Sequence, residues 1–125
     1  HVSIQLAVIE AKGDARPSKP IPLTVLVNPR ITAASKTLTE EWEGCLSVDN
    51  LRGKVTRQSM VRVKALDRTG APVDLDATGL YAVCIQHEID HLMGKLFLDR
   101  MTDLSTLTQL DEFDQYWRKE HAAVI

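Results

Sequence analysis

The sequence predicts an α+β fold, with mainly antiparallel sheets packed around a central helix and a further helix toward the C-terminus. Three observations predict it. Strand-like segments run as far as Leu75 and helix-like segments follow, with no strand–helix alternation to signal a parallel sheet. Residues 60–67 set Val61, Val63 and Ala65 against Met60, Arg62 and Lys64, the alternation of a half-buried strand. Along residues 79–95 and just past them, Leu80, Val83, Cys84, Met93 and Leu96 recur at three- and four-residue steps, with Gly79 and Gly94 bracketing the run, the pattern of a helix.

Taken in order, residues 3–10 are rich in β-branched and aliphatic side chains and read as a strand, and 11–20, with Gly13, Pro17 and Pro20, as a loop. Pro22 to Val27 reads as a second strand ended by Asn28-Pro29, and 30–41 as a separate extended segment. Residues 42–48 mix an aromatic, acids, glycine and a thiol, with Trp42 expected in the core nearby; 49–59 are polar and contain glycine. Arg68-Thr69-Gly70-Ala71 is a turn, and Pro72 to Leu75 the return strand of a hairpin. Phe97–Arg100 reads as a short extended exit. A second helix is expected from Thr102 to His121, with Leu104, Leu107, Leu110, Phe113, Tyr116 and Trp117 as its apolar stripe.

At 125 residues, 44% hydrophobic and 26% charged, the chain reads as one domain, 1–125, able to bury a core. A formal charge of −2 gives no reason to expect direct nucleic-acid binding or an anionic membrane partner. No apolar run approaches the roughly 18–20 residues that span a bilayer. Cys45 and Cys84 are read as thiols in a reducing compartment rather than as a disulfide.

The chemistry starts from His87, Glu88 and His91, an H-E-x-x-H pattern. On a helix, residues four apart share a face, so two imidazoles converge on one metal ion, with the acid beside the first ligand. A catalytic site of this kind needs a third protein ligand. The extended protease pattern H-E-x-x-H-x-x-G-x-x-H holds as far as Gly94 and fails at Phe97, where the third histidine would stand. Cys45 is favoured in its place over Cys84, which reads as core or pocket wall. Gly44 lets the backbone come close to a ligand there. Asp90 is expected to stand behind the ligands, partnered by Arg57, and Arg52 either to contact substrate or to be solvated. His1 and His121 read as solvated.

Glu43-Gly44-Cys45-Leu46-Ser47 together with Gln86-His87-Glu88-Ile89-Asp90-His91-Leu92-Met93-Gly94 resembles the peptide deformylase family, whose second and third motifs are E-G-C-x-S and H-E-x-D-H. The spacing of Arg52 and Arg57 after the cysteine is similar to that family as well. The resemblance implies that Cys45, His87 and His91 hold a divalent metal, natively Fe2+, with Zn2+, Ni2+ or Co2+ as substitutes. It implies hydrolysis of the formyl group of N-formylmethionyl peptides, nascent chains at the ribosome, with Glu88 as general base. The Leu46 backbone N–H would be an oxyanion donor, Leu80, Val83 and Cys84 the wall of the methionine pocket, and Gly44 and Arg52 contacts for the peptide. The family's first motif, G-x-G-x-A-A-x-Q, is absent, and with it a second oxyanion donor; a donor of that kind is worth about 10²–10³ in rate. Because the chain starts at His1 and not at Met, it is expected to be truncated at its N-terminus. A bacterial cytoplasm, or a mitochondrion or plastid, is the compartment implied. The alternatives are a metallopeptidase and an inactive or incomplete metal-binding module of the same family.

Overall fold

The computed structural model describes residues 4–11, 21–45 and 48–116. Its elements are β1 (Leu6–Ala11), β2 (Ile21–Ala34), β3 (Leu38–Cys45), β4 (Val48–Gln58), β5 (Met60–Leu66), β6 (Pro72–Thr78), α1 (Gly79–Leu92), α2 (Phe97–Arg100), β7 (Thr108–Gln109) and α3 (Leu110–Tyr116). All strand pairs are antiparallel. β1-β2-β5-β6 form one sheet and β3-β4-β7 another. The expected α+β architecture is what the chain adopts.

The first sheet is built on alternation. Val61, Val63 and Ala65 of β5 point inward while Met60, Arg62 and Lys64 point out. Against that inner face α1 lays Ala82, Val83, Ile85 and Ile89. Burying each of the larger three contributes roughly 1.5–3 kcal/mol. The hairpin turn before β6 is tied by Asp67, whose carboxylate accepts hydrogen bonds from the Thr69 N–H and hydroxyl and from the Ala71 N–H. Those bonds, led by the one from the Thr69 hydroxyl, hold the Asp67 carboxyl below its usual range.

Several boundaries differ from expectation. Asn28-Pro29 does not end β2. The chain passes through as a β-bulge, with Asn28 at φ 49°. The Asn28 N–H donates to Gln5 O at 2.7 Å and its side-chain oxygen accepts from the Gln5 N–H at 2.9 Å. The polar stretch 49–59 is mostly strand β4, whose inward positions carry Arg57 and Gly53 as well as Val55. Charged residues on the buried face hid the alternation.

Phe97–Arg100 is helical, not extended. The Asp99 carboxylate reaches back to the Leu96 N–H at 2.8 Å, and Phe97 is buried in a small cluster with Cys45 and Val55. The long C-terminal helix is also replaced. A 3-10 turn at Leu104–Thr106, closed by Asp103 accepting from the Ser105 N–H, leads into β7, which pairs with β4; among the described residues of that stretch, Leu110–Tyr116 is the α-helical part. Edge pairing to β4 takes the residues that helical periodicity would have claimed. Of the described residues of the expected stripe Phe113 alone is buried, its ring tilted 59° against Trp42 with centroids 5.1 Å apart, whereas Leu104 is 64% exposed. Trp117 and His121, like His1, lie outside the described residues.

Candidate metal centre

Two elements bring the site together. α1 presents His87 and His91 one turn apart, about 6 Å along its axis. β3, the edge strand of the second sheet, presents Glu43 and Cys45 two residues apart, about 6.6 Å along the strand. The two steps nearly match, so the pairs meet in register: Glu43 against His87 and Cys45 against His91. Glu43 Oε1 lies 2.8 Å from His87 Nδ1, and Cys45 Sγ lies 3.4 Å from His91 Nε2. One ligand atom each from Cys45, His87 and His91 falls within a 4.8 Å span. Both imidazole rings take part, their centroids 4.5 Å apart and nearly edge to face.

The helix ends where the site requires. Gly94, at φ 76°, closes it with a Schellman motif: the Gly94 N–H donates to His91 O and the Lys95 N–H to Asp90 O, at 3.0 and 2.8 Å. Helix α1 is thus three residues shorter than expected, and Met93 lies exposed.

The donors fit a metal ion. His87 Nε2 is buried and has no hydrogen-bond partner among the described residues. Burial raises the Glu43 pKa, but hydrogen bonds from His87 and Arg57 and the Arg57 charge outweigh it and leave the carboxyl below its usual range. An ionised carboxylate only accepts, so His87 Nδ1–H is the donor in that bond and Nε2 is the ring atom left for a metal. Tetrahedral geometry with metal–sulfur near 2.3 Å and metal–nitrogen near 2.0–2.1 Å requires a sulfur–nitrogen separation of about 3.5 Å, close to that between Cys45 and His91.

Glu88 is half-buried, with Oε2 3.5 Å from His91 Nδ1, beside the cluster rather than in it. Gly44 is closed over by Arg52: a Cβ at Gly44 would meet the guanidinium at 2.6–2.7 Å. Arg52 is 5% exposed, which removes the solvated alternative for it. Val83 and Cys84 are buried in the core under the first sheet, with Leu80 half-buried at its margin. Leu46 and Ser47 lie outside the described residues. Asp90 meets Arg57 as expected, at 2.9 Å.

Motif reading alone missed Glu43, the group that orients His87, and Arg100, which binds Asp90 at 2.8 Å. The signal for Glu43 was its place two residues before Cys45, on the same strand face. For Arg100 no local pattern exists.

A cysteine and two histidines gathered between an antiparallel sheet and a helix, with a glutamate alongside, make a candidate mononuclear metal site in an α+β fold. The family model of polypeptide deformylase matches residues 1–106. Peptide deformylase from Azotobacter vinelandii is 48% identical over 97 residues, 78% of this chain and 55% of the relative; peptide deformylase 1 from Nitrosomonas europaea is 39% identical over 105 residues, 82% and 60%. Among solved structures, the Met-Ala-Ser-bound class I type b peptide deformylase of Acinetobacter baumannii superposes with TM-score 0.74 at 36% identity, over 78% of this chain and 62% of that one. A plant peptide deformylase gives TM-score 0.70 at 40% identity, over 89% and 56%. The chain belongs to the polypeptide deformylase family. It spans 55–60% of the length of the two curated relatives named here.

Proposed function

We propose that the protein is a metal-dependent deformylase, hydrolysing the N-formyl group of formylmethionyl peptides to formate and a free amine. The observation that carries this is the convergence of Cys45, His87 and His91 with Glu88 beside them, in a chain of this family.

When bound, a divalent cation supplies Lewis acidity toward the formyl carbonyl and makes a water more acidic. Cys45, His87 and His91 would hold it, the thiol being a donor suited to soft divalent metals; the family resemblance, not the donor set, points to ferrous iron, with zinc, nickel or cobalt as substitutes. Glu88 takes a proton from the attacking water and passes it to the amine as the C–N bond breaks. By the family resemblance, the Leu46 backbone N–H would supply a hydrogen bond to the carbonyl oxygen as it gains negative charge. The substrate chain runs along the open edge of β3 at Gly44, with Arg52 packed behind it, as a strand added to a sheet edge. Leu80, Val83 and Cys84, on the His87 side of α1, form the apolar wall for the methionine side chain. The substrates are nascent chains from the ribosome, and the reduced thiol ligand suits a bacterial cytoplasm or an organelle interior.

The test is formate release from formyl-Met-Ala-Ser. Glu88→Ala is expected to lower it by about 10²–10⁴-fold, the usual weight of a general base, while the protein still holds its metal. Cleavage of unformylated peptides without formate release would instead identify a peptidase. Full activity in Glu88→Ala would remove that residue as the base.

A further inference from the structure

Behind His87 stands a row of side chains that ends at the surface. Arg57 lays Nε and Nη2 on the two oxygens of Glu43, at 2.6 and 3.0 Å, and turns Nη1 to Asp90 Oδ2 at 2.9 Å. Arg100, from α2, grips both oxygens of Asp90, Nε to Oδ2 at 3.0 Å and Nη2 to Oδ1 at 2.8 Å. Side-chain exposure rises along the row, from 0% at Glu43 through 5% at Arg57 and 6% at Asp90 to 39% at Arg100. Arg100 touches none of Cys45, His87, His91 or Glu88 through these bonds.

Two carboxylates and two guanidiniums balance in charge. Without Arg100, Asp90 would keep only Arg57, and Arg57 would be divided between two anions in a buried setting that tolerates no unpaired charge. A guanidinium makes two-bond grips only in its own plane. Turning Arg57 toward Asp90 therefore breaks its grip on Glu43, and Glu43 is what holds His87 Nδ1.

We propose that Arg100 is a positioning residue for the metal centre: by clamping Asp90 it keeps Arg57 bidentate on Glu43, so that His87 Nε2 stays aimed at the position shared with Cys45 and His91. The affinity of the centre for a thiol-binding divalent cation is then set partly from α2. This rests on the metal reading above.

The test is zinc affinity of the metal-stripped protein, measured by competition with a chromogenic chelator, together with the thermal melting of the metal-free form. Arg100→Leu is expected to weaken zinc binding roughly tenfold, the lower end of the range for groups standing behind a ligand. Arg100→Lys, which keeps the charge, recovers part of that loss. Because Arg100 acts through Asp90, adding Arg100→Leu to Asp90→Asn costs no further affinity. Zinc affinity within about twofold of the parent in Arg100→Leu overturns the proposal, as does an equal loss in both backgrounds. A lowered melting temperature with unchanged affinity also overturns it, because that is a purely structural role. If Arg100→Leu does not fold without metal, Arg100→Gln carries the same comparisons. His91→Ala reports separately on the metal reading: unaltered zinc binding there overturns the Cys-His-His site and the proposal with it.

Discussion

Glu43 shows how a side chain outside the ligand set decides what a ligand does. It is fully buried and accepts from Arg57 and His87 together. Glu43→Gln removes the charge while keeping the shape, so the His87 tautomer is no longer imposed. Metal affinity is expected to fall by roughly 10–100-fold, the range for partners of ligating histidines. Chelator competition checks this; an unchanged affinity would mean that α1 packing alone orients the ring. His87, Glu88 and His91 were legible in the sequence because one helical turn places them together whatever surrounds them. Cys45 was legible because a soft donor beside a glycine had few rivals. Glu43, Arg57 and Arg100 were not equally legible, because a charged residue carries no local mark of being buried.

At the scale of elements, α1 depends on how it ends. Gly94 takes a left-handed conformation that an L side chain enters at a cost of roughly 1–2 kcal/mol. Gly94→Ala is expected to lower unfolding free energy by about that much, seen as a lower urea midpoint at unchanged slope. Loss confined to the slope would place the effect in the unfolded chain instead. The elements that followed from pattern were β5 and α1, whose apolar residues repeat at two and at three-to-four. The elements that departed from it have tertiary causes. β2 runs on through Asn28-Pro29 because Gln5, just before β1, satisfies the bulge. Phe97–Arg100 coils because Asp99 caps Leu96 and Phe97 has a cluster to enter. Thr108–Gln109 is a strand because β4 offers an edge.

At the scale of the molecule, the second sheet is tied to α1 by polar and charged contacts, Glu43 to His87 and Arg57 to Asp90. For Asp90, burial raises the carboxyl pKa, but the hydrogen bonds from Arg100 and Arg57 outweigh it and the group titrates below its usual 3.8; Glu43 is likewise lowered from 4.5. A carboxyl whose folded pKa is depressed contributes stability that is present above its unfolded pKa and is lost as pH falls through the folded value. The metal-free protein is therefore expected to lose stability on acidification from about pH 4.5 downward. Urea midpoints between pH 6 and pH 3 check this, and a midpoint that holds or rises toward pH 3 would contradict it. By itself the sequence determined the class of fold, the helix with its two histidines and acid, and the cysteine upstream, because local spacing and side-chain chemistry carry that information. Only the tertiary structure decided that a strand step and a helical turn meet in register, that Glu43 fixes His87, and that a row of buried ions ties the site to α2. Those depend on distances between segments remote in the chain, which no local pattern encodes.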